Sequence, residues 1–133
     1  MRQIKFRGKD TFKSKFFPQR WLYGTPVQDG DDMWMCVKTV DKGIVSVKVD
    51  PSTVGQFTGL TDCNGKDIYE GDIVEANEYL YKVCWYDSMA SFIAEMIYNG
   101  KQFRFTDNFL HDCEVVGNIH DDPSLMINQP TEV

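Results

Sequence analysis

No stretch of this 133-residue chain approaches the ~18 consecutive apolar residues of a membrane-spanning helix, and Met1 to Phe6 leads into alternating charge, not an apolar signal core. A soluble protein that stays where it is made is expected. Paired metal-ligand spacing is missing as well: Cys36, Cys63, Cys84 and Cys113 form no Cys-x-x-Cys, and His111 and His120 are the only histidines. A zinc site needs about four ligands in paired spacing, so none is predicted, and scattered thiols in a chain long enough to build its own core point to reduced cysteines. Gly55 and Gly59 do not lead into a helix with Lys and Ser or Thr behind them, which excludes a phosphate-cradling loop. Asp62-Cys63-Asn64-Gly65 opens like a calcium loop, but its glycine falls at the fourth position instead of the sixth and no glutamate stands at the twelfth. It is a turn. Asp29, Asp31 and Asp32 read as a solvated acidic turn, and no cofactor is expected.

Positive charge is scarce overall, and what there is lies at one end. The net charge is −6, yet Met1 to Arg20 carries seven basic residues against Asp10 alone, leaving the remainder strongly acidic. A basic arm sits on an acidic body. The arm can contact nucleic acid or lie against the acidic surface of its own or a neighbouring subunit. The second reading is favoured because an acidic body repels a phosphate backbone.

The hydrophobic pattern is that of short strands. Ile4 and Phe6 alternate with Lys5 and Arg7, predicting a strand over 3–7, and Trp21 to Gly24 reads as another. Residues 8–19 are polar and basic, a loop that Phe16-Phe17-Pro18 would anchor to the core. Met33 to Val40 and Ile44 to Val49 form a hairpin about Asp41-Lys42-Gly43, which Pro51 closes. From Val54 to Val74 four glycines mark turns, among them Asn64-Gly65 and Glu70-Gly71. Ile73 to Ala76, then Tyr81, Val83 and Trp85, then Phe92 to Tyr98, and Phe103 with Phe105 after Asn99-Gly100, make a meander. A helical turn over 109–111, a strand over Cys113 to Ile119 and a short helix N-capped by Asp122 finish it, leaving a frayed tail over 128–133.

The fold class expected is therefore mainly β, with short helical turns at its margins. An antiparallel meander would form a small SH3-like barrel in the C-terminal half, with an N-terminal strand and hairpin as an extension. One domain is predicted over 1–133, divided into the extension (1–50), the barrel-like core (51–120) and a short helix and tail (121–133). With 42 % hydrophobic and 14 % aromatic residues on so many short strands, apolar edges remain to be covered, and self-association is the natural means.

Three segments carry a likeness to a known family: Met1-Arg2-Gln3-Ile4-Lys5-Phe6-Arg7; Thr53 to Leu60 with Asp62, Asn64-Gly65 and Ile68 to Val74; and Val115-Val116-Gly117-Asn118-Ile119-His120 followed by Pro123. Together they resemble the YopX family of phage and prophage proteins, from end to end. The resemblance implies a bacterial or phage cytoplasmic origin and a mainly β fold. It brings no catalytic residue: what carries over is architectural, with Gly55, Gly59, Gly65 and Gly71 as backbone positions and Asp62, Asn64 and Asp72 as turn-bonding side chains.

Constellations for chemistry are thin. His111 and Cys113 would share a face of a strand, but Cys84 and Cys113 fit better as small core residues, and Cys63 is the accessible thiol. The reading that results is a non-enzymatic phage accessory protein. It would work by protein–protein contact with a host or phage partner and assemble as a homo-oligomer. Its candidate interaction surface is Arg2, Arg7, Arg20, Trp21 and Tyr23. A nucleic-acid-binding module using the same arm, with rings such as Tyr79, Tyr81 and Trp85, is the alternative.

Overall fold

Side-chain alternation at a period of two carries most of the chain into strands, and tight turns join them antiparallel. The computed structural model describes residues 3–127. Its strands are β1 (Phe6–Lys9), β2 (Trp21–Asp29), β3 (Asp32–Lys38), β4 (Ile44–Val49), β5 (Gly55–Thr61), β6 (Asp67–Tyr69), β7 (Asp72–Ala76), β8 (Tyr79–Tyr86), β9 (Ser91–Met96), β10 (Gln102–Arg104) and β11 (Glu114–Asn118). One short helix, α1 (Asp107–Asp112), precedes β11. Two compact units result, residues 1–57 and 58–133, with β5 running through the boundary.

In the first unit the strands lie in the order β4-β3-β2-β1, and the opening of β5 extends the sheet beside β1. β2 is longer than its apolar start predicts and runs through Pro26. Its first residues, Trp21 to Gly24, pair with β1, whereas Thr25 to Asp29 pair with β3. Pro26 thus lies past the end of the β1 ladder, where a missing N–H costs nothing on that edge. At the crossover a Cβ on Gly24 would stand 2.1 Å from the Cys36 carbonyl oxygen, so only glycine lets the two backbones approach. Met35 and Val49, both fully buried, form the core of this unit and close over Gly8, whose missing side chain makes room for them.

The second unit holds a five-stranded sheet of order β10-β9-β8-β7-β11, together with the rest of β5 and with β6. Ile68, Val74, Val83, Ala94 and Cys113 are buried at its centre. Tyr81 meets Phe103 and Phe109 edge-on at centroid distances of 5.4 and 5.0 Å. Each large aliphatic side chain buried in this way contributes about 1.5–3 kcal/mol.

A closed SH3-like barrel is not formed; the sheets are open and antiparallel. The reason lies between β10 and β11. Thr106 caps α1 by accepting the Phe109 N–H on its Oγ1 at 3.2 Å, and the helix turns the chain away from β10. The last strand is delivered beside β7, at the opposite end of the sheet order, so the two edges never meet. β11 carries a bulge at Val116, between Val115 and Gly117.

The glycine-punctuated stretch 54–74 contains strands β5 and β6 besides its turns. Asp122 stands at the N-cap position of a 3-10 turn over Pro123–Met126 with Pro123 at its start, but its carboxylate makes no capping bond and Oδ2 instead accepts the Asn118 N–H at 3.1 Å. The tail placed at 128–133 lies outside the described residues. Among the described residues no helix is long and apolar enough to cross a membrane.

Candidate interaction surface

Directly opposite residues of an antiparallel pair share a face, and β1 sets Arg7 against Tyr23 and Lys9 against Trp21. The Arg7 guanidinium lies 4.6 Å from the centroid of the Trp21 ring, with the Lys9 ammonium 5.7 Å from the same ring. Lys5 stands likewise over Phe57, at 4.6 Å. Cations of the basic arm therefore stack on rings of their own unit. Arg7 is only 6 % exposed, so it serves this sheet and not an open contact surface. Tyr23 is half-exposed beside it, and Arg2 lies outside the described residues.

Arg20 points elsewhere. Its Nη2 donates to Asp10 Oδ2 at 2.8 Å, although most of the Arg20 side chain remains in solvent. Asp10 is the anchor of the β1–β2 loop: its Oδ1 accepts the Phe12 N–H at 2.9 Å, its own N–H reaches the Arg20 carbonyl at 2.9 Å, and its carbonyl accepts Gln19 Nε2 at 2.9 Å. Burial alone would raise the Asp10 pKa, but the Arg20 hydrogen bond, the Phe12 N–H and the Arg20 charge together bring it below the usual carboxylate value. Thr11 ties the loop to β4 by donating its N–H to the Lys48 carbonyl at 3.1 Å.

On this braced base the loop displays three rings. Phe12, Phe16 and Phe17 are 71, 86 and 73 % exposed, the reverse of the core anchor expected for Phe16-Phe17-Pro18. Ser14 Oγ accepts the N–H groups of Phe16 and Phe17 at 3.0 and 3.3 Å, a local turn that satisfies the backbone while holding the rings outward. Lys13 and Lys15 are exposed between them. Asp10, Phe12, Ser14, Phe17, Pro18 and Arg20 line an open pocket of about 540 Å³ at the loop base. Sequence reasoning missed these phenylalanines because apolar side chains are assigned to the core by default. The signal available was their company: Lys13, Lys15 and Pro18 in a segment without strand periodicity.

The other candidates are structural. Asp62 is buried and accepts the N–H groups of Asn64 and Lys66 on Oδ1 and of Val115 on Oδ2, each at 2.9 Å, as a turn-bonding carboxylate would. His111 lies in α1, while Cys113 is fully buried with its Sγ 3.8 Å from the Leu110 carbonyl, so the two are not assembled as a base and nucleophile. Burial pushes the Cys113 thiol up to about 11, far from a reactive thiolate. On β8 and β9, Glu95 accepts a hydrogen bond from the Tyr86 hydroxyl and lies 3.6 Å from Lys82 Nζ. Trp85 is partly exposed and stacks edge-on against Phe92 at 5.1 Å, and Tyr81 belongs to the core. Among the described residues no three His, Cys, Asp or Glu side chains gather as a metal site.

The arrangement defines a two-unit, all-antiparallel protein whose most prominent surface feature is a basic, phenylalanine-bearing loop. The YopX protein family matches over residues 5–127, nearly the whole chain, and the chain belongs to that family. The crystal structure of protein EF1440 from Enterococcus faecalis is similar at 23 % sequence identity, with a TM-score of 0.59 over 93 % of this chain and 98 % of that one, a likeness of fold. No curated protein matches.

Proposed function

We propose that this protein is a non-enzymatic phage or prophage accessory protein of the bacterial cytoplasm, acting through protein–protein contact and self-assembly, with the β1–β2 loop as its contact element. The supporting observation is the exposure of Phe12, Phe16 and Phe17 on a loop already held by Asp10, Ser14 and Thr11. Burying one such ring contributes roughly 2 kcal/mol, and a loop ordered beforehand loses little entropy on docking. Lys13 and Lys15 direct the rings toward an acidic partner. A nucleic-acid role for the arm has less support, because Arg7 is buried against Trp21 and Arg20 is committed to Asp10.

Size-exclusion chromatography with light scattering tests the reading at low and high salt. An oligomer that Phe16→Ser with Phe17→Ser converts to monomer, with an unchanged circular-dichroism spectrum, is the expected outcome. A wild-type monomer at every ionic strength removes self-assembly.

A further inference from the structure

The two units carry opposite charge. Residues 1–57 contain ten basic and six acidic residues, a net of +4, whereas residues 58–133 contain four basic and fourteen acidic residues, a net of −10. In the loop itself Asp10 is spent on Arg20, which leaves Lys13 and Lys15 beside the exposed rings with no acid between them. A surface of apolar rings framed by lysines fits an acidic surface that also offers apolar area.

The second unit has such a surface at one edge of its sheet. Glu75 on β7 and Glu114 on β11 stand directly opposite one another in register, both exposed. Like charges placed so are destabilising. The pair is relieved only by Asn64 Nδ2, 3.4 Å from Glu114 Oε2, and among the described residues no cation forms an ion pair with either carboxylate. Val116, exposed at the bulge, adds apolar area two residues from Glu114. The edge therefore presents two unneutralised carboxylates and an apolar side chain, where the loop presents two ammonium groups and phenyl rings.

We infer that the occupant of the β1–β2 loop is a second copy of this chain, engaged at the Glu75–Glu114 edge of its acidic unit. The inference rests on the self-assembly proposed above and specifies its faces. Lys13 and Lys15 of one copy neutralise Glu75 and Glu114 of the next, while Phe16 and Phe17 cover Val116. Because the two faces differ, the contact either repeats head to tail as a ring or open chain of copies or is made twice, reciprocally, across a two-fold axis.

A charge exchange tests this in full-length protein by light scattering at low salt. Lys13→Glu with Lys15→Glu, and separately Glu75→Lys with Glu114→Lys, should each weaken assembly at least tenfold, and mixing the two variants should restore it. Circular dichroism reports that each variant is folded. An assembled wild type that the Glu75/Glu114 variant leaves unchanged overturns the choice of face while sparing self-assembly, and so does failure of the mixture to recover. A wild-type monomer overturns the self-assembly reading as well. A monomer that instead retards labelled single-stranded oligodeoxythymidylate through Lys13 and Lys15 assigns the loop to nucleic acid, which also overturns the inference.

Discussion

Asp62 and Val115, far apart in the chain, are joined by a buried hydrogen bond of 2.9 Å from the Val115 N–H to the Asp62 carboxylate. Beside it the Cys63 N–H donates to the Cys113 carbonyl, also at 2.9 Å. The turn after β5 therefore clasps the start of the last strand, and one carboxylate organises both.

Removing that carboxylate leaves the buried Val115 N–H without a partner, while the N–H groups of exposed Asn64 and Lys66 turn to water. Asp62→Ala is expected to cost about 1–3 kcal/mol in urea unfolding, the range for a buried donor left without a partner.

The same group predicts an acid limb. Burial alone would raise the Asp62 pKa, but the N–H groups of Val115, Lys66 and Asn64, with the Lys66 charge, bring it below the ordinary value. A depressed folded pKa stabilises above the unfolded-state value of about 3.9 and loses that contribution as pH falls through the folded value. Stability measured from pH 6 downward should decline in this acid range with a shallower slope in Asp62→Asn than in wild type.

The β7–β8 turn carries strain that can be relieved. Asn77 and Glu78 both adopt positive φ, 53° and 73°, where a side chain meets the following carbonyl. Glu78→Gly is expected to raise stability by about 0.5–1 kcal/mol, measured by thermal or chemical unfolding. A loss of stability would show that the glutamate side chain contributes a contact of its own.

Thiol reactivity should follow burial and local charge. Cys113 is fully buried with its pKa near 11, and Cys63, though exposed, has its pKa raised by desolvation and then by Asp62 and Glu114. A raised thiol pKa means less thiolate at a given pH. Iodoacetamide at pH 8, followed by mass spectrometry, should label Cys63 more slowly than a free cysteine peptide and leave Cys113 untouched until the protein is unfolded.

Loop presentation should depend on Asp10. Asp10→Ala removes the acceptor for Phe12 and Arg20, so assembly should weaken although Lys13, Lys15 and the rings are intact. Light scattering reads the effect, and hydrogen exchange at Phe12 reads the loosened base.

Much of the strand arrangement was legible because its signals are local. Phe92, Ala94 and Met96 alternate as β9 requires, Asn99-Gly100 turns the chain, and Asp41-Lys42-Gly43 joins β3 to β4. Closure was not legible, because whether β11 meets β10 depends on where α1 sends the chain, a geometric matter that side-chain period does not encode. The candidate surface was legible only in part. Charge drew attention to Arg7, which the fold buries over Trp21, whereas apolar character sent Phe16 and Phe17 to a core they do not occupy.

Placing β11 beside β7 has a consequence for biosynthesis. β1 to β4 and the part of β5 that pairs with β1 have all emerged once Phe57 has left the ribosome, so the first unit can begin to fold while later residues are still being added. The second cannot complete its sheet until Asn118 emerges. Until then β7 keeps a bare edge in the nascent chain, which makes stalled or prematurely terminated products the species most prone to mispair with one another.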